Sequence, residues 1–464
     1  TSTSHNKGAA FPLGSKEPSI HAEDRMKVLA QLRLVAVLIA LFPVVSLAQT
    51  AKLDVASRTG SINAILKCLN ESYVFPDVAK KMEADVRARI ARKEYDTIED
   101  GPALALKLTE DLRSVSHDLH IRVEYSAEPQ SPEPAGKFVP TPEYFEQLRQ
   151  YFRRENFGIT KVDILKGNVG YVDFKYFAPP EIAAETYAAV MGYLANTDAL
   201  IIDVRASNGS MSPDAIPMLC TYFFEQPVHL NDIYWRDDDS TRQFWTWAYV
   251  PGKRYVNKPI YVLTSGKTFS GAEEFAYDLK NLKRATIIGD PTGGGANPGG
   301  PRQANEHFSV WIPYGRAINP ITKTNWEGVG VEPDIKIAPI QALHTAHTLA
   351  LKELVSKATD PGWKENLTAA LAELEENPVK VKTVTLTLKG FDSARSIAVA
   401  GSFNFWAPRA NPLTRQGDTW VAKVEVTPGR HTYKFVVDGK WILDPGNPKT
   451  ITDGQYSNSV LVVE

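Results

Sequence analysis

The stretch that most constrains this chain covers residues 261–295, because its polarity pattern admits one order of elements. A continuous apolar run over residues 260–263 gives way to the polar Thr264-Ser265-Gly266-Lys267. Apolar residues then return at helical spacing, at Phe269, Ala272, Phe275, Ala276 and Leu279. A further strand and the glycine-rich Gly293-Gly294-Gly295 close the unit. Strand, exposed turn and helix put Ser270 at the mouth of the helix. A hydroxyl there lies beside unpaired N–H groups and the positive end of the helix dipole, where an oxyanion is stabilised. Serine is also a preferred helix cap, so this stretch alone leaves Ser270 as cap or nucleophile.

With 464 residues the chain is too long for one ordinary core, and two or three domains are expected. Its 52 basic and 54 acidic side chains give no basic field, which argues against nucleic acid as a partner. Residues 1–25 read as an upstream segment outside the fold. Residues 26–48 carry the pattern of a signal peptide: Lys27 and Arg33, an apolar run over 34–42, and Ser46-Leu47-Ala48 before Gln49. Cleavage at Ala48-Gln49 would make the protein secreted or periplasmic. A retained membrane anchor needs roughly 20 apolar residues, more than this run supplies. Cys68 and Cys220 are far apart in sequence, and either a disulfide or two free thiols fits an exported chain.

Residues 53–125 predict a helical subdomain. Its apolar faces are Ile62, Ile65, Leu66 and Leu69, then Val78, Met82, Val86 and Ile90, then Leu104, Leu108 and Leu112. The third helix runs into Ser116-His117-Asp118-Leu119-His120-Ile121-Arg122-Val123, where alternation after His120 predicts a short strand. Residues 126–165 read as a proline-rich linker and a helix. Residues 166–376 alternate strands and helices, an α/β pattern in which ligands gather at the carboxyl ends of strands. Asn208-Gly209 and Ser270 both sit at such ends. Residues 380–464 break into short strands separated by Pro428-Gly429, Asp438-Gly439 and Asp444-Pro445-Gly446, the spacing of a β-sandwich.

A hydrolytic serine needs a base, a group that orients the base, and donors facing the developing negative oxygen. His120, at a strand start, suits the base better than His117 in the turn, and neither is excluded by spacing. Glu327, beside Gly328, is a candidate orienting carboxylate or a solvent-facing strand residue. Gly209 and Gly271 are candidate oxyanion donors, since glycine lets the backbone approach closely. Residues 289–300 contain no lysine to serve as a base. Lys267 lies in a polar turn, and Lys283 reads as a helix-end cation. His344 and His347 are expected at the surface, so no metal and no cofactor is expected.

Three separated motifs, Leu200-Ile-Ile-Asp-Val-Arg-Ala-Ser-Asn-Gly209, Thr264-Ser-Gly-Lys-Thr-Phe-Ser-Gly-Ala-Glu-Glu-Phe275 and Trp326-Glu-Gly-Val-Gly-Val-Glu-Pro-Asp-Ile335, resemble the S41 peptidases, the family of C-terminal processing and tricorn-type proteases. The helical segment with Ser116-His-Asp-Leu-His-Ile-Arg-Val123 is similar to the subgroup related to interphotoreceptor retinoid-binding protein. The resemblance implies a ClpP/crotonase-like α/β core and a serine peptidase acting on a peptide or protein substrate. It implies Ser270 as nucleophile and His120 as base, oriented from Glu327 through a serine. Leu119 stands where that serine is expected, so Asp118 or a water would have to take its place. Gly293-Gly294-Gly295 occupies the neighbourhood of the processing-protease lysine, and no PDZ segment is evident. A catalytically silent binding protein on the same fold is the alternative, and a homo-oligomer is compatible with either.

The last domain resembles the glycogen-binding module of AMP-activated kinase β subunits, a CBM48-type E-set fold, through Gly401-Ser-Phe-Asn-Phe-Trp406 and Tyr433-Lys-Phe-Val-Val-Asp-Gly-Lys-Trp441. This implies an α-glucan or other polysaccharide as ligand, held by Trp406, Trp441, Lys434 and Asn458. The competing reading makes the two tryptophans core residues of a small sandwich.

Overall fold

The computed structural model describes residues 53–131, 141–454 and 456–464. The upstream segment and export signal expected over 1–48 lie outside them. Among the described residues no helix is long and apolar enough to cross a membrane.

Three helices open the fold: α1 (Val55–Ser72), α2 (Pro76–Ala91) and α3 (Gly101–Ser116). Asp54 and Asp100 cap α1 and α3 by accepting the amides of Ser57 and Ala103. Their apolar faces meet in one core, which Val123 of β1 (Arg122–Tyr125) and Phe308, Val310 and Ile312 of a distant strand complete. The helical subdomain therefore shares its core with the α/β part. α3 stops at His117, whose φ of 59° reverses the chain and returns it through Asp118 and His120 into β1.

Next come α4 (Pro142–Phe152), β2 (Ile159–Leu165), β3 (Val169–Phe174), α5 (Pro180–Leu194), β4 (Ala199–Asp203) and α6 (Ala215–Cys220). They are followed by β5 (His229–Trp235), β6 (Ser240–Trp245), β7 (Ile260–Thr264), α7 (Gly271–Asn281) and β8 (Thr286–Gly289). The core ends with β9 (Gly299–Gln303), β10 (Phe308–Pro313), β11 (Gly315–Ile318), β12 (Ile335–Lys336), α8 (Pro339–Lys357) and α9 (Pro361–Glu376). The central sheet runs β12-β8-β7-β4-β3-β2, parallel except where β2 pairs with β3. β4 and β7 are buried throughout, as interior strands of a parallel sheet must be.

Two features depart from the sequence expectation. β2 belongs to this sheet, so the core reaches back into the segment read as linker and helix; as an edge strand with exposed Thr160 and Lys161 it lacks an apolar run. An antiparallel ribbon, β11-β5-β6, also went unread because its strands carry mixed polarity. A third sheet, β1-β10-β9, places Arg122 opposite Trp311 and so docks the end of the helical subdomain on the core.

The carboxy-terminal part holds β13 (Lys382–Lys389), β14 (Ile397–Gly401), β15 (Thr414–Gln416), β16 (Thr419–Val426), β17 (Gly429–Val437), β18 (Lys440–Ile442), β19 (Thr450–Asp453) and β20 (Tyr456–Val463). They form sheets β13-β16-β15 and β14-β17-β20-β19, with β18 against β17, around Leu388, Val399, Phe403, Val424 and Phe435. This module packs directly on the core. The Phe405 ring lies 4.6 Å from the Arg205 guanidinium, and Arg395 pairs with Glu110 of α3 at 3.2 Å. A methyl added at Gly266 would meet the Ala410 methyl at 3.1 Å and the Ala407 methyl at 3.5 Å. Cys68 and Cys220 are both free thiols, and burial raises the pKa of each.

Candidate active site

Ser270 sits where β7 has turned into α7, with φ 54° and ψ −125°. A side chain in that region costs about 1–3 kcal/mol, a strain held only when the surroundings impose it. They do so through the backbone. The Ser270 amide donates to Glu273 Oε2 at 2.8 Å, and Thr268 Oγ1 and Ser265 Oγ tie the preceding turn to the Val204 and Arg205 carbonyls at 2.8 and 2.6 Å. The hydroxyl is left to face His120 Nε2 at 3.2 Å, across 150 residues of sequence.

Glycine is required around this serine. A methyl on Gly209, whose φ is 112°, would lie 2.8 Å from Ser270 Cβ, and one on Gly271 would lie 2.3 Å from Ser210 Oγ. A methyl on Gly295 would strike the Phe269 ring and approach His120 Cε1 to 2.8 Å. The Gly209 and Gly271 amides, both beside Ser270, have no protein acceptor among the described residues.

Sequence reasoning missed Glu273. Its buried carboxylate accepts the amides of Ser270, Gly294 and Gly295 at 2.8, 2.6 and 2.8 Å and the Thr292 hydroxyl, so one side chain folds the glycine loop onto the serine turn. The Ser-x-x-Glu spacing of a capping box was the available signal.

The surroundings of the two candidate histidines differ in part from expectation. His117 is an exposed helix terminus, whereas the His120 side chain is 10% exposed. Glu327 makes no hydrogen bond to His120; its Oε2 accepts the Ala296 amide at 2.6 Å and its Oε1 has no partner. The expected relay position carries no hydroxyl, and the Leu119 carbonyl is taken by Arg113 at 2.6 Å. The carboxylate facing the other ring nitrogen belongs to Asp118, with Oδ1 3.7 Å from His120 Nδ1. Asp118 is buried and held by the His120 amide at 3.0 Å, Tyr73 Oη at 3.2 Å and Asn297 Nδ2 at 3.0 Å. Tyr73 and Asn297 left no local mark in the sequence.

Burial pushes Glu327 up to about 8, with the Asp118 charge adding to the effect, and burial pushes Glu273 up to about 7 against its hydrogen bonds. Both exceed the ordinary 4.5, so the folded chain holds protons that the unfolded chain has released. Their stabilisation is complete below about pH 4.5 and is lost as pH rises through 7 and 8. The melting temperature is expected to fall between about pH 5 and pH 8.5, and less steeply in Glu327→Gln. Thermal melts across that range provide the check.

His344 and His347 are not the surface residues expected. Both donate to backbone carbonyls, His344 Nε2 to that of Leu374 at 2.9 Å and His347 Nε2 to that of Lys166 at 2.8 Å, and His347 is buried.

In the module, Trp406 and Trp441 lie outside the apolar core, which uses Trp420 instead. Their rings are 6.2 Å apart, and Trp441 is 38% exposed. Trp441 pairs with Val436, two residues from Lys434 on the same face of β17. Asn458 lies on the neighbouring strand, where Ser459 pairs with Tyr433.

Residues 168–337 match the family model "Peptidase family S41", and residues 54–157 match "N-terminal domain of Peptidase_S41 in eukaryotic IRBP". Residues 384–464 match "Glycogen recognition site of AMP-activated protein kinase". The 5'-AMP-activated protein kinase subunit beta-1 of Bos taurus is 33% identical over 104 residues, 22% of this chain and 37% of its own length. Protein PTST homolog 2, chloroplastic, of Arabidopsis thaliana is 31% identical over 72 residues, 16% of this chain and 13% of its own length. This chain thus spans well under half of these curated relatives. Among solved structures, a putative peptidase from Parabacteroides merdae aligns with TM-score 0.43 and 17% identity, over 61% of this chain and 90% of that one. The photosystem II D1 C-terminal processing protease aligns with TM-score 0.37 and 15% identity, over 62% and 95%.

Proposed function

The chain carries a peptidase family S41 domain behind that family's amino-terminal domain, and a glycogen-recognition module of the AMP-activated kinase type, and on that premise we propose that it is an exported serine endopeptidase. Export rests on the signal pattern over residues 26–48. The observation that carries the activity is the Ser270 hydroxyl at 3.2 Å from His120 Nε2.

Ser270 Oγ attacks the peptide carbonyl while His120 Nε2 takes its proton, and the Gly209 and Gly271 amides hold the oxygen that becomes negative. His120 then gives the proton to the leaving amine. Water, deprotonated by the same nitrogen, releases the acyl group and restores Ser270. The imidazolium formed in each half-reaction is stabilised by Asp118, whose gap of 3.7 Å to Nδ1 is of the kind that tightens in a substrate complex. Asp118 therefore takes the orienting role, and Glu327, whose pKa burial pushes up to about 8, stands behind it. The test is hydrolysis of unfolded casein by wild type and by Ser270→Ala. Equal rates would leave a silent binding protein on the same fold.

The module is proposed to hold an α-glucan on Trp406 and Trp441, with Lys434 and Asn458 at the edge. Support comes from two tryptophan faces withheld from the core. Trp406→Ala with Trp441→Ala is expected to weaken retention on a glycogen column more than about tenfold, the loss of about 1.4 kcal/mol or more of stacked surface. Casein hydrolysis should be unchanged. Undiminished retention would count against this surface.

A further inference from the structure

The second ring nitrogen of the proposed base faces Asp118 at 3.7 Å without a hydrogen bond to it. The His120 side chain is nine-tenths buried, yet Nδ1 has no hydrogen-bond partner. Two more buried acceptors are unpaired on residues grouped with Asp118, Glu327 Oε1 and Asn297 Oδ1, the Asn297 amide nitrogen being committed to Asp118. One atom each of Asp118, His120 and Glu327 lie within 4.8 Å of one another. Buried polar atoms without partners are rare enough that each needs an explanation, and an ion is one.

We propose that Asp118, His120 Nδ1 and Glu327 form a site for a divalent cation of the zinc class, and that its occupation switches the peptidase off. One imidazole and two carboxylates are a zinc donor set, with a fourth position left for water. Tetrahedral ligands about 2.1 Å from zinc stand about 3.4 Å apart. The 3.7 Å between His120 Nδ1 and Asp118 Oδ1 is near that spacing already, and Glu327 Oε1, which has no partner to lose, closes the remainder. Two carboxylates balance the charge of the ion.

The switch follows from the tautomer. A cation occupying the Nδ1 lone pair leaves the ring proton on Nε2, pointing at Ser270 Oγ. Nε2 then donates where catalysis needs it to accept, and no acyl-enzyme forms. Binding shifts the ring proton from Nδ1 to Nε2, and any proton on a ligating carboxyl leaves to solvent, with no change of oxidation state. Ser270 is not a ligand, so occupancy and turnover are separable.

The inhibitory half rests on reading Ser270 and His120 as nucleophile and base, but the binding half does not. Zinc chloride is therefore titrated calorimetrically into Ser270→Ala. One zinc per chain is expected, with affinity reduced at least about tenfold when Glu327→Gln or Asp118→Asn is added, and unchanged when His229→Ala is added as a control beside Asp232. Glu327→Gln is an isosteric change, so it keeps the test valid if Asp118→Asn fails to fold. No binding, or binding indifferent to Glu327→Gln, overturns the site and leaves the cluster to water. With wild type, zinc is expected to abolish casein hydrolysis and EDTA to restore it. Zinc bound at the site with hydrolysis unaffected overturns the switch. Absence of casein hydrolysis without zinc overturns the peptidase reading alone.

Discussion

Ser270→Ala is expected to lower kcat on unfolded casein by about 10⁵- to 10⁶-fold, because removal of the nucleophile leaves only the binding and oxyanion contributions. The same substitution should leave the fold intact. The hydroxyl's hydrogen bond to His120 at 3.2 Å is worth about 0.5–1.5 kcal/mol. Alanine keeps the side-chain strain at φ 54°, whereas Ser270→Gly removes it. Ser270→Gly is thus expected to be as inactive as the alanine variant yet more stable than it, by about 1 kcal/mol. Activity assays with thermal melts on both variants read the two effects separately. A glycine variant less stable than the alanine variant would contradict the account of strain.

Asp118→Asn carries the second large effect, a fall in kcat of about 10³- to 10⁴-fold with KM little changed. Asparagine fits the space and still faces Tyr73, but it brings no charge to the imidazolium and can hold the ring in the wrong tautomer. Glu327→Gln should cost less than about tenfold in kcat at pH 7, since a carboxyl whose pKa burial pushes up to about 8 carries little charge there to lose. The pair of variants decides which carboxylate supports the base. Equal losses would return that role to Glu327, acting as in a relay, and would argue against Asp118.

How far the sequence could be read depended on how local each determinant was. Ser270 was legible because β7, the turn and α7 follow one another without interruption and change period from strand to helix. His120 was legible as a strand start, but its meeting with Ser270 is made by β1 pairing with β10, a register that no local pattern specifies. Asp118 stood in view beside His120. Its role was hidden because the groups that fix it, Tyr73 at the end of α1 and Asn297 after the glycine loop, come from opposite ends of the fold. Glu273 looked like one more residue of a helix's first turn. β2 and the β5-β6-β11 ribbon were missed because one-sided, short or edge strands do not repeat long enough to show a period.

The seam at Phe405 has a consequence for orientation. The module and the core are joined by a few residues between α9 and β13, yet Arg205 under Phe405 and Gly266 against Ala407 and Ala410 prevent them from swinging about that joint. Arg205 is itself clamped by Asp203 at the end of β4, the strand that leads to Gly209. A ligand held by the module would therefore fix the heading of the Ser270 site as well as its whereabouts. On an extended polymer, each molecule would face the same way relative to the strand it grips, and only substrates presented on that side would be cut.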